Sequence, residues 1–153
     1  MDQLAALMRY TLSSGNKTTV DLCDELEAVR AYLAIEKIRF EERLRVVFDV
    51  EPDLDEVQIP PMALQALVEN AVKYGVERNA AASEIHITIK KSLNVVAVEV
   101  ANQGSLARLG DSTRLGLDNT RKRLSLLNGE DSPLALLERD GWVIATLQLR
   151  HAT

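Results

Sequence analysis

The 153-residue chain is expected to fold as an α+β protein, with helices and antiparallel hairpins in one layered domain instead of regular strand–helix–strand alternation. Three observations carry that expectation. Apolar residues recur at three- and four-residue steps through residues 4–12 and 20–40, which is the helical period. They alternate with polar or small residues over 85–89 and 96–100, the period of strands that bury one face. Asp140-Gly141 separates a last pair of strand-like runs as a two-residue hairpin turn.

Taken in order, Leu4, Leu7, Met8 and Leu12 form a first helical stripe that stops at Ser13-Ser14-Gly15-Asn16. A longer helix follows over about Val20 to Phe40, with Leu22, Leu26, Val29, Leu33 and Phe40 on one side and Ala28, Ala31, Ile35 and Ile38 on another. Two apolar sides require two neighbours. The first helix, returning as a helical hairpin, is one; the rest of the domain or a second copy of the chain is the other. Arg45 to Val50 is short, β-branched and aromatic, and Glu51-Pro52-Asp53 ends it as a strand. Pro60-Pro61 presets the first turn of a third helix that runs to Gly75. Ile85, Ile87 and Ile89 make one strand and Val96, Val98 and Val100 the next, an antiparallel pair around Ser92-Leu93-Asn94. Gly104 to Gly116 has neither period and reads as a functional loop, followed by a helix of about Leu117 to Leu127 that ends at Asn128-Gly129. Strands from Leu134 to Arg139 and from Trp142 to Arg150 close the chain.

Composition narrows the function. Lys and Arg total 18 against 23 Asp and Glu, a formal charge of −5, so no basic face is available for general nucleic-acid binding. Any phosphate must be held locally. The single cysteine, Cys23, excludes an internal disulfide and fits a reducing, cytoplasmic setting. No apolar run is long enough to cross a bilayer, so no membrane contact is expected of this segment. His86 and His151 lack partners spaced for metal binding or nucleophilic catalysis.

On the third helix, a turn of 100° per residue gathers Leu64, Leu67, Val68 and Ala71 on one arc and Glu69, Asn70 and Lys73 on the opposite one. A carboxylate, a carboxamide and an ammonium thus share a patch. On helix statistics alone, a solvated face with a Glu69–Lys73 ion pair is the reading that usually wins over a site.

The wider pattern decides between them. Glu69-Asn70-Ala71-Val72-Lys73-Tyr74-Gly75, preceded by Pro60-Pro61-Met62-Ala63-Leu64-Gln65, resembles the N box of the ATP-binding domain shared by histidine kinases, gyrase and MutL. The nearest likeness is to sensor histidine kinases of the LytS/YehU type, with Ala66 in place of a usual proline and Tyr74 in place of a usual histidine. Leu7-Met8-Arg9-Tyr10 and the run Tyr32 to Phe40 resemble helical segments of the same family. Asn102-Gln103-Gly104 stands where the family has Asp-x-Gly, and Ser112 to Asn119 resembles its second glycine motif, with Ser112 and Arg114 replacing glycines.

The resemblance implies the Bergerat, or GHKL, fold: a two-layer α/β sandwich with a mixed, largely antiparallel sheet, preceded by a helical hairpin. It divides the chain into residues 1–42, the remnant of a dimerisation and phosphoacceptor region, and 43–153, the ATP-binding domain. It implies ATP and Mg²⁺ as cofactors, with Glu69 orienting or deprotonating the phosphate acceptor, Asn70 giving one oxygen to the metal, and Lys73 and Tyr74 at the nucleotide. Asn102 and Gly104 would meet adenine; Thr113, Arg114, Leu115, Gly116, Leu117 and Asn119 would surround the phosphates. The family's phosphoacceptor histidine sits in a Pro-His-Phe-rich motif that is absent here. The expected partners are a response regulator, an upstream sensor and phosphoacceptor segment that anchors the intact protein to the membrane, and a second copy of the chain. Two other readings use the same fold: an interaction module that has lost nucleotide binding, and a serine kinase of the anti-sigma-factor type.

Overall fold

The computed structural model describes residues 19–76, 83–104 and 135–150. Its elements in chain order are β1 (Val20–Asp21), α1 (Leu22–Phe40), β2 (Leu44–Val50), β3 (Gln58–Ile59), α2 (Ala63–Ala71), β4 (Ser83–Ser92), β5 (Val95–Gln103), β6 (Ala135–Arg139) and β7 (Trp142–Arg150). The main sheet has the order β2-β4-β5-β7-β6, and β1 pairs with β3 in a small second sheet. β2 runs parallel to β4, while the other three contacts of the main sheet are antiparallel. The expected α+β class and mixed, largely antiparallel sheet are therefore present.

Alternation decides which way the sheet faces. Ile85, Ile87 and Ile89 of β4, Val96, Val98 and Val100 of β5, and Leu147 and Leu149 of β7 are all buried. They join Leu22, Leu26, Val29 and Leu33 of α1 and Leu64, Leu67, Val68 and Ala71 of α2 in one cluster, which makes the two layers. Polar groups pair elsewhere along the strands: Lys90 Nζ meets Asp49 at 2.9 Å and His86 Nε2 meets Glu84 at 2.9 Å. His86 also lies against the Trp142 ring, with centroids 4.8 Å apart. Asp140 and Gly141 turn the last hairpin with φ of 52° and 82°, the left-handed pair that a two-residue turn requires.

Three details differ from the expectation. The long helix begins at Leu22 because Val20 and Asp21 are taken into pairing with Ile59 and Gln58. Its first-turn amides then find acceptors across the junction, Leu22 N–H on Val57 O at 2.8 Å and Cys23 N–H on Asp55 O at 3.1 Å. The third helix starts only at Ala63, so Pro60-Pro61 precede its left-handed N-cap Met62 instead of forming its first turn. It keeps α-helical bonding only to Ala71, and Val72–Val76 continues it as a wider π turn that carries Lys73, Tyr74 and Gly75. Along the second stripe of α1, Ala28 and Ala31 are buried but Ile38 is 79% exposed. The first expected helix, the loop beyond Gly104 and the helix at Leu117 to Leu127 lie outside the described residues. Among the described residues no helix is long and apolar enough to cross a membrane.

Candidate nucleotide site

The parallel crossover from β2 through α2 to β4 lays α2 across the sheet. Its apolar arc is driven into the core, with Leu64 and Val68 fully buried and Leu67 and Ala71 nearly so. That burial fixes the helix's rotation, so the opposite arc must face outward. Glu69 is exposed and accepts a hydrogen bond from Gln65 Nε2 at 3.1 Å, Asn70 is half-buried, and Lys73 is exposed on the π turn.

Asn102 approaches from the sheet. It sits near the end of β5 opposite Val143 of β7, and only 5% of it is exposed. Its Nδ2 donates to the Gln103 carbonyl at 3.1 Å, which holds the amide nitrogen on that side and leaves the side-chain oxygen to face elsewhere. Asn70 and Asn102 line one narrow pocket together with Leu67, Ala71, Val100, Leu136, Val143 and Ala145. The enclosed part is about 20 Å³, room for one water, so a planar base would enter by widening it. Gly104 N–H donates to Gly141 O at 2.9 Å, tying the exit of β5 to the turn between β6 and β7.

One residue at this place, Ser83, carries no sequence signal of its own, and Gly75, which closes the motif that begins at Glu69, gives no sign in the sequence of its contact with it. Ser83 opens β4 at 1% exposure, and its hydroxyl has no hydrogen-bond partner. Gly75 lies against it: a Cβ there would stand 3.2 Å from Ser83 Oγ and 3.3 Å from Asn102 Cβ and Nδ2. The absence of a side chain at Gly75 is what brings the end of the third helix against Asn102. Leu136, Val143 and Ala145 read in the sequence only as strand residues, because their place in the pocket depends on strand order. Of the expected site residues, the structure brings Asn70 and Asn102 to one pocket, with Glu69 and Lys73 on the neighbouring exposed surface. Tyr74 is on the π turn, while Thr113, Arg114, Leu115, Gly116, Leu117 and Asn119 lie outside the described residues.

The pocket fits an adenine base chemically. Leu67, Val100, Leu136, Val143 and Ala145 supply apolar walls, and Asn102 supplies an acceptor oxygen. For a divalent cation, the available donor is the side-chain oxygen of Asn70. A second group of ligand types, Asp21, Cys23 and Asp24, has donor atoms within 4.8 Å of one another. It is poorly suited to a metal: Asp21 is held by Gln58 Nε2 at 2.6 Å. Burial, with the nearby Asp24, Asp55 and Asp21 carboxylates adding to it, raises the pKa of the Cys23 thiol and keeps it protonated at neutral pH.

Comparison with known proteins adds an independent line. A histidine kinase family model matches residues 1–44. The sensor histidine kinase YesM of Bacillus subtilis is 34% identical over 99% of this chain and 27% of its own length. The sensor histidine kinase BtsS of Escherichia coli is 33% identical over 97% of the chain and 28% of its own length. The chain thus spans about a quarter of the length of these relatives. Among solved structures, the catalytic domain of the histidine kinase ThkA superposes with a TM-score of 0.62 at 20% identity, over 86% of this chain and 93% of that one. ThkA in complex with the response regulator protein TrrA gives 0.61 at 18% identity, over 99% of this chain and 48% of that one. These superpositions establish the fold.

Proposed function

The chain belongs to the sensor histidine kinases of the LytS, YesM and BtsS kind, and on that premise we propose that it is the ATP-binding catalytic core of a two-component sensor kinase. The observation that carries the reading is the convergence of Asn70 and Asn102, from different elements, on one apolar pocket. Residues 1–42 would be the end of the dimerisation and phosphoacceptor region, and 43–153 the nucleotide-binding domain; the family match to residues 1–44 supports that division.

In this reading Asn102 accepts a hydrogen bond from the adenine amino group, and the apolar walls of the pocket exclude water from the ring faces. Asn70 gives one oxygen to Mg²⁺, which, when bound, screens the charge of the triphosphate. Lys73 and Tyr74 border the nucleotide, and Lys73 neutralises phosphate charge. Thr113, Arg114, Leu115, Gly116, Leu117 and Asn119 would complete the phosphate cradle. Glu69 orients the acceptor imidazole and takes its proton as the new nitrogen–phosphorus bond forms and ADP leaves. The histidine is supplied by an upstream segment, and the phosphoryl group then passes to a response-regulator aspartate. The intact protein would work as a homodimer, anchored to the membrane by upstream segments and keeping this core in the cytoplasm.

Calorimetric titration with Mg²⁺ and a non-hydrolysable ATP analogue tests the proposal. Micromolar to low-millimolar binding is expected for the wild type, weakened about 10- to 100-fold or lost in Asn70→Ala. A folded wild-type chain that binds no analogue would overturn active ATP use and leave the fold serving as an interaction module.

A further inference from the structure

Glu25 is fully buried in the first turns of α1, and its carboxylate reaches the start of α2. Oε2 accepts from Leu64 N–H at 3.0 Å and Oε1 from Met62 N–H at 3.3 Å. α2 has no side-chain cap of its own, and its N-cap residue, Met62, sits in the left-handed region at φ 67°. A local Ser, Thr or Asp would satisfy such amides without tying one helix to another. Here they are satisfied by a single residue, Glu25, which lies 37 positions before Met62 and 39 before Leu64. Burying a carboxylate carries a desolvation cost that an apolar side chain would not incur.

We propose that Glu25 is a positioning residue for the nucleotide site: its carboxylate locks α1 to the first turn of α2, so that the placement of α1 sets the placement of Glu69 and Asn70. The inference rests on the catalytic-core reading for its functional meaning. Leu64 and Asn70 are separated by about 9 Å of helix, a span too short to bend freely, so a shift at the gripped end is delivered to the other. The grip has a second strand of support. β1 pairs with β3, Leu22 and Cys23 donate to Val57 and Asp55, and Thr19 Oγ1 bonds Gln58 at 2.9 Å, all within the turn that leads into α2. The histidine kinase family match covers residues 1–44 and so includes α1.

The test uses the full chain as wild type, Glu25→Gln and Leu26→Ala, the last a core truncation of the same helix. Three quantities are read: thermal stability, amide exchange at Met62 and Leu64 with the Asn70 side-chain NMR resonance, and affinity for the Mg²⁺–ATP analogue. In Glu25→Gln, exchange at these amides rises about 10- to 100-fold. The Asn70 resonance moves and affinity falls about 2- to 30-fold. Leu26→Ala lowers the melting temperature but leaves the Asn70 resonance and affinity in place. Equal effects of the two substitutions on affinity, or an unmoved Asn70 resonance in Glu25→Gln, would overturn the proposal. If Glu25→Gln does not fold, Glu25→Met, which fills the space without the charge, takes its place with the same readouts. A wild type that binds no analogue removes the catalytic-core reading, while the exchange and Asn70 readouts still decide whether Glu25 positions α2.

Discussion

Glu69→Gln slows phosphoryl transfer to histidine by about 10²- to 10⁴-fold while leaving nucleotide affinity close to wild type. The split follows from where the two neighbouring side chains stand. Asn70 lines the pocket, whereas Glu69 is exposed on the adjoining surface. In the proposed reading an incoming imidazole meets Glu69 there, and adenine contacts do not depend on it. Glutamine keeps the length of the side chain and an oxygen for the Gln65 contact but cannot take up a proton. The measurement is single-turnover formation of phosphohistidine from labelled ATP by the chain joined to a phosphoacceptor segment, alongside titration of the analogue. A fall in affinity equal to the fall in rate would place Glu69 in nucleotide binding; an unchanged rate would remove it from the chemistry.

Ile87→Ala destabilises the protein by about 2–5 kcal/mol. Ile87 is fully buried near the middle of β4, paired with Phe48 of β2 on one side and Val100 of β5 on the other. The cavity would open on the core face of β4, a strand hydrogen-bonded on both edges, where the backbone has little room to collapse. Domains of this size have total stabilities of about 5–15 kcal/mol, so the loss is a large part of the whole. Urea unfolding followed by far-ultraviolet circular dichroism measures it. Val47→Ala, in a side chain 47% exposed on β2, is expected to cost within about 0.5 kcal/mol. Similar losses at the two positions would contradict the arrangement of the core.

Much of this arrangement was legible because the chain repeats its instructions. The isoleucines at 85, 87 and 89 and the valines at 96, 98 and 100 each state a strand by period, and Asp140-Gly141 states a turn by chemistry. The arc of α2 could be drawn from residue spacing, and its apolar side is the side that is buried. What the period could not convey was pairing. The parallel partnership of β2 with β4, the capture of Val20 and Asp21 by β3, and the meeting of Gly75 with Ser83 all join residues distant in sequence, through contacts that leave no local pattern. Glu25 is the clearest case. One carboxylate in the early turns of a helix looks like a favourable charge near the positive end of its own dipole, and nothing nearby says that it serves another helix.

The parallel pair also bears on the order in which the protein assembles. β4 with β5 and β6 with β7 close through two-residue turns, but every partner of β2 on β4 lies 39 positions further along the chain, from Leu44 with Ser83 to Val50 with Ile89. The entropy of closing such a loop is repaid only after α2 has docked, so the hairpins are expected to form before β2 joins. Pulse-labelling hydrogen exchange would then show protection at Val98 ahead of Val46, and the reverse order would refute it. On a ribosome the consequence is sharper. α1 and β2 are made before α2, β4, β5 and β7, so the surfaces they pack upon do not yet exist when they emerge.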